Sequence, residues 1–109
     1  MLGRLLDTFV AAQLRAELAA SSHDPRLHHL RDEQGRREVD LLIETAGGQL
    51  IGIEVKASAT VTPSDAHHLA WLRDEVGDAF ATGIILHTGP HIFPVGDRII
   101  AAPVSVLWS

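Results

Sequence analysis

Asp40, followed fourteen residues later by Glu54-Val55-Lys56, is the set of residues in this chain best suited to chemistry. They lie in REVDLLIETAGGQLIGIEVKAS, two apolar runs of β type around a Gly-Gly turn. Successive side chains of a strand point to opposite faces, so Glu54 and Lys56 share one face while Ile51, Ile53, Val55 and Ala57 fill the other. Charged groups inside an apolar strand cost free energy unless something pairs them. Two carboxylates on adjacent strands can hold Mg²⁺ through oxygen, with the backbone carbonyl of Val55 as a further ligand. Such a metal activates water and stabilises charge on a phosphate. Lys56 is then placed to orient that water or to offset the developing negative charge. Ser58 and Thr60 follow the strand and are candidates to touch a phosphate, although such residues more often cap and turn the chain. The competing reading is a salt-bridged cluster on a solvent-facing sheet, continuous with the charged run Arg36-Arg37-Glu38.

The hairpin register decides between faces. If Asp40 stands opposite Glu54, then Thr45 stands opposite Gln49, and Ala46-Gly47-Gly48 forms a three-residue loop with Gly at its last position. A two-residue Gly47-Gly48 turn would pair Asp40 with Val55 and put the acid on the wrong face.

The elements that must position these residues follow from pattern and punctuation. Leu2 to Ala20 reads as a helix of strong formers, ended by Ser21-Ser22-His23-Asp24-Pro25. Stepping about 100° per residue puts Leu6, Val10, Leu14 and Leu18 on one side and Leu2, Leu5, Phe9 and Ala16 on the other. A helix apolar on two sides is expected to meet two partners, one of them a second subunit or a neighbouring domain. Asp7 on this helix is either a helix-start acid favoured by the macrodipole or a third acid in the cleft of Asp40 and Glu54.

Leu27 to Arg31 is a short strand, and Arg37 to Glu44 with Leu50 to Ala57 make the central hairpin. Thr62-Pro63-Ser64-Asp65 starts a second helix that runs to about Val76, with Gly77 as its stop. Ala81 to His87 is a strand, Ile92-Phe93-Pro94 a brief extended piece, Arg98 to Ala102 a last strand and Val104 to Trp108 a terminal turn. The order is αβββαββ, an α/β domain with a central mixed sheet spanning residues 1–109.

The 109 residues suit one domain. A net charge of −5 disfavours tight nonspecific binding of nucleic acid, which rests on Lys and Arg. It leaves a nuclease open, because metal offsets carboxylates. The absence of cysteine excludes disulfides and thiolate metal sites. No apolar run approaches a membrane span and no signal peptide is evident, so a cytoplasmic protein without a membrane role is expected. His28-His29 and His67-His68 are adjacent pairs, a poor spacing for one ion whether on a strand or a helix. Trp71 and Trp108 read as core or interface residues, and Arg73 as a solvated residue or a phosphate contact. No P-loop is present, so no nucleotide site is expected.

GREVDLLIE followed by LIGIEVKAS resembles the Asp and Glu-x-Lys core of the PD-(D/E)xK nuclease superfamily. From LGRLLDTFVAAQL through IEVKASATVTPSD to GDRIIAAPVSVLW, the chain is similar to one branch of it, a domain of unknown function found C-terminal to AAA-type ATPases of bacteria and archaea. The resemblance implies a restriction-endonuclease-like core. It implies a Mg²⁺ or Mn²⁺ site at Asp40 and Glu54, a catalytic Lys56, and a helix acid at the position of Asp7, where relatives usually carry Glu. Val39 replaces the motif's Pro, and Gln13 replaces a second helix Glu. The function implied is metal-dependent hydrolysis of DNA phosphodiesters, accessory to an AAA-type ATPase. The alternative is a weak or inactive nuclease-fold module that assembles with an ATPase or with a second copy of itself.

Overall fold

The computed structural model describes residues 26–31 and 38–108. The predicted first helix, with Asp7 and Gln13, lies outside the described residues. Six strands form one mixed sheet in the order β1-β2-β3-β4-β6-β5. They are β1 (Arg26–Arg31), β2 (Glu38–Glu44), β3 (Leu50–Val55), β4 (Phe80–His87), β5 (Phe93–Gly96) and β6 (Ile99–Pro103). Among the described residues the one α-helix is α1 (His67–Val76), which joins β3 to β4.

This corrects the expected order in one respect. The piece around Phe93 is a full edge strand paired antiparallel with β6, so three strands follow α1 instead of two. The Pro94 ring is tolerated there because an edge strand has one side without a ladder partner.

β3, β4 and β6 run parallel, and β2 runs antiparallel to β3. Ligands of open α/β sheets bind beyond the carboxyl ends of the parallel strands. The end of β3, where Glu54, Val55 and Lys56 stand, is at that edge. Because β2 runs the other way, its first residues, including Asp40, come to the same edge.

The β2–β3 hairpin has the register required for a shared face. Glu44 pairs with Leu50, Ile43 with Ile51, Leu42 with Gly52 and Leu41 with Ile53. The Thr45 N–H donates to the Gln49 carbonyl at 2.9 Å, and the Gly48 N–H donates to Thr45 at 2.9 Å. Gly48 closes the loop at φ 82°, a conformation that a Cβ disfavours.

The β1–β2 pairing shifts midway. His28 faces Leu42 and Leu30 faces Val39, so Asp40 and Leu41 together oppose the single residue His29. Simple alternation would set Val39 with Leu41 and Ile43. The extra residue instead brings Val39 into the cluster of Leu42, Leu69 and Leu72.

Two apolar clusters lie on the two faces of the sheet. One gathers Val39, Leu42, Leu69, Leu72, Phe80, Ile85, Ile99 and Ala101, and α1 packs into it. The other gathers Leu41, Ile43, Ile53, Leu86 and Ala102. Leu69 and Leu72 seat α1 against Gly52 and Gly83, where a Cβ would stand 2.7 Å and 3.2 Å respectively from the nearest Leu69 methyl. The small residues let the helix approach β3 closely, two residues before Glu54. Gly77, at φ 60°, ends α1 as its position predicted. No described helix is long and apolar enough to cross a membrane.

Candidate functional site

Asp40, Glu54, Val55 and Lys56 line one cavity of about 320 Å³ at the carboxyl end of β3, together with Asp65, His68 and Ile85. Strand pairing explains the gathering. The hairpin register runs as far as Leu41 against Ile53, and just beyond it Asp40 and Glu54 both line the cavity. In the parallel ladder Glu54 pairs with Ile85, so Ile85 floors the cavity beside the acid.

Asp40 also ties the end of the hairpin. Its Oδ2 accepts the Val55 N–H at 2.9 Å. The carboxylate is therefore held against the backbone segment that carries Glu54 and Lys56. A charge-assisted bond of this kind is stronger than a neutral one.

Beyond Val55 the strand gives way to a turn. The Lys56 N–H still donates to Leu86 at 2.8 Å, but Ser58 N–H folds back to the Lys56 carbonyl at 2.8 Å. This is why β3 ends at Val55 and not at Ala57. A neighbouring loop braces the turn, with the Thr88 N–H donating to the Ser58 carbonyl at 3.1 Å. That loop is held by His87, which is 1% exposed. Its Nδ1 accepts the Gly89 N–H at 2.9 Å, so Nε2 carries the proton and donates it to the His91 carbonyl at 2.9 Å. Both ring nitrogens are satisfied, and His87 serves the loop.

Ser58 and Thr60 spend their groups locally. The Thr60 N–H donates to Ser58 Oγ at 3.1 Å, and neither residue lines the cavity. Arg73 turns away, donating to the Asp97 carbonyl at 3.1 Å and to Asp74 at 3.1 Å. His28 stands near Glu44 at 3.4 Å. The His67 ring lies 4.0 Å from that of His68, while its Nδ1 contacts the Ser64 carbonyl.

Two polar cavity residues, Asp65 and His68, lay outside the site set read from the sequence. The Lys56 ammonium donates to Asp65 Oδ2 at 2.6 Å. The same oxygen accepts the Thr62 N–H at 2.7 Å and the Thr62 hydroxyl at 3.2 Å. Thr62 and Asp65 form a reciprocal cap on the short 3-10 turn Pro63–Ala66 that leads into α1. His68 Nδ1 donates to Glu54 Oε1 at 3.1 Å, because a carboxylate can only accept. The sequence signal was spacing. Asp65 precedes Leu69 by four residues and Leu72 by seven, so it prolongs the buried face of the helix towards the sheet.

The hydrogen bond from Lys56 and the N–H of Thr62 hold the Asp65 carboxyl below its ordinary value of 3.8, against the opposing effect of burial. Lowering in the folded chain means that Asp65 contributes stability above 3.8, and that this contribution is lost as pH falls below 3.8 through the lower folded value. Denaturant titrations of wild type and Asp65→Asn between about pH 6 and about pH 2.5 test this. The stability gap between the two proteins is expected to be widest near pH 6 and to close in acid. A gap independent of pH contradicts the assignment.

The donors facing the cavity suit a hard cation. Asp40 and Glu54 offer carboxylate oxygens from adjacent strands, the ligand type of Mg²⁺ and Mn²⁺. Among the described residues no group of three or more His, Asp or Glu is arranged to hold a metal ion by itself. Asp7, the third acid expected from the sequence, lies outside the described residues. A family model described as Domain of unknown function (DUF4143) matches residues 2–107. No curated protein matches the chain.

Proposed function

The chain belongs to the DUF4143 family, and from the chemistry of its cavity we propose that it is a Mg²⁺- or Mn²⁺-dependent nuclease acting on DNA phosphodiesters. One observation carries the reading: Asp40 and Glu54, from antiparallel neighbouring strands, line the same cavity as Lys56 at the carboxyl end of the parallel strands. A restriction-endonuclease-like core is the corresponding fold reading. It is supported by a mixed sheet whose hairpin bears the Asp and the Glu-x-Lys, with α1 packed beside it.

Asp40 and Glu54 would hold the cation, with the Val55 carbonyl as a further oxygen donor. When bound, the cation supplies an activated water and offsets charge on the phosphate. The chain's own residues do the rest. Val55 N–H fixes the orientation of the Asp40 carboxylate, and His68 fixes that of Glu54. Lys56 donates hydrogen bonds to the attacking water or to the phosphate oxygen that gains charge as the new P–O bond forms and the old one breaks. Orientation before reaction is a large part of such catalysis.

A second reading has its own support. Asp40, Glu54 and Lys56 each spend a hydrogen bond inside the protein, and the chain carries a net charge of −5. These suit a weak or inactive module that assembles with an AAA-type ATPase or a second copy. The resemblance in sequence supports the ATPase as partner under either reading.

Incubation with supercoiled plasmid and with labelled single- and double-stranded oligonucleotides separates the two. The nuclease reading expects cleavage with Mn²⁺ or Mg²⁺ and none with a chelator. No cleavage of any of these DNAs with either ion favours the assembly module.

A further inference from the structure

We infer that Asp65 is a positioning residue for Lys56, holding the ammonium over the cavity in the orientation the reaction uses. The inference rests on the nuclease reading above. Asp65 is not part of the Asp and Glu-x-Lys set, and what recommends it is its place between two rigid elements. Its Oδ2 takes the Lys56 ammonium at 2.6 Å while the Thr62 N–H and hydroxyl bind the same atom. The cap fixes the carboxylate, so the carboxylate fixes the lysine and not the reverse. The cap in turn leads into α1, whose depth against β3 is set by Leu69 against Gly52. A chain of contacts therefore runs from the core to the tip of Lys56.

A lysine side chain has four rotatable bonds and a compact, strongly hydrated charge. Left in water it samples many rotamers, and ordering it during reaction costs entropy. Asp65 removes that cost beforehand, which is how supporting residues make a reactive group effective. Both side chains are partly open to the cavity, at 34% for Lys56 and 26% for Asp65. The ammonium therefore stays accessible to a phosphate while Asp65 holds it.

The test uses the full chain, in which Lys56 is the single lysine. Labelling with ¹⁵N-lysine thus gives one side-chain ammonium signal. A through-hydrogen-bond coupling between that nitrogen and the Asp65 carboxylate carbon is expected, and Asp65→Asn should abolish it. A Lys56 ammonium that rotates and exchanges like a surface lysine, with no such coupling, overturns the inference.

Kinetics supply the second arm. With Mn²⁺ and a DNA oligonucleotide, Asp65→Asn is expected to lower kcat by roughly 100-fold, with KM within about twofold of wild type. Asp65→Glu should recover part of the loss. Thr62→Ala removes only the 3.2 Å hydroxyl bond and keeps the 2.7 Å backbone N–H that fixes Asp65, so it should stay within about threefold of wild type. Equal losses in Thr62→Ala and Asp65→Asn would reduce Asp65 to a helix cap and overturn its positioning role. A wild type inert with every ion overturns the nuclease reading itself, and the ammonium signal then still decides whether Asp65 holds Lys56.

Discussion

Replacing Lys56 by Ala, or Asp40 by Asn, is expected to lower metal-dependent DNA cleavage by about 10²–10³-fold while the chain stays folded. Lys56→Ala removes a preorganised donor at the phosphate, and Asp40→Asn removes a charged oxygen that would hold the cation. The Lys56 side chain is 34% exposed, and its removal leaves Asp65 with both bonds to Thr62. A partly exposed ion pair is worth at most about 1 kcal/mol, so the fold survives. The asparagine at position 40 keeps an oxygen able to accept the Val55 N–H. Initial cleavage rates, with thermal unfolding as a control for folding, measure the effect. Two folded variants that both cut at the wild-type rate would remove Asp40 and Lys56 from any catalytic role.

The largest effect on stability is expected at Leu69. It is fully buried on α1 and packs over β3 and β4 at Gly52 and Gly83. Leu69→Ala removes three methyl(ene) carbons from a packed interior and should cost about 3 kcal/mol. A domain of this size is stable by about 5–15 kcal/mol. The Tm is accordingly expected to fall by roughly 10–20 °C.

Gly52→Ala tests the same contact from the other side. The added Cβ would stand 2.7 Å from one Leu69 methyl and 3.3 Å from a Leu72 methyl. Leu69 is fully buried, with its other methyl packed over Gly83, so it has little room to swing away. Overpacking of this kind costs about 1–3 kcal/mol. In the Leu69→Ala background the extra methyl enters vacated space, so the two changes should be less harmful together than their sum. A coupling of about 1–2 kcal/mol in a double-mutant cycle by denaturant unfolding is the expected result. Strict additivity would mean that Gly52 and Leu69 do not press on one another.

The hairpin was legible in the sequence because its determinants are local. Gly48 at the last loop position specified a three-residue connection, and that connection set the register from Glu44 against Leu50 to Leu41 against Ile53. The alternation of Ile51, Ile53 and Val55 against Glu54 and Lys56 specified the faces. The start and stop of the helix were legible for the same reason, in Thr62-Pro63-Ser64-Asp65 and in Gly77.

What could not be read was tertiary. Asp65 meets Lys56 only because α1 lies at one depth and one rotation over β3, and Leu69, Leu72, Gly52 and Gly83 fix these jointly. His67 and His68 are too close in sequence to share a metal, and the partner of His68, Glu54, lies fourteen residues away on another element. The irregularity at Asp40 and Leu41 depends on the pairing with β1, which no turn residue announces. Ile92-Phe93-Pro94 reads in the sequence as a brief extended piece, whereas the strand Phe93–Gly96 exists through its pairing with β6, and its place at the sheet edge makes Pro94 acceptable.

Calorimetric titration of Mn²⁺ and Mg²⁺ into wild type and into the double variant Asp40→Asn with Glu54→Gln addresses the metal site directly. Saturable binding by the wild type that disappears in the folded double variant is the expected result. Equal binding by both proteins would contradict a site built on Asp40 and Glu54, as would no binding by the wild type with or without DNA present.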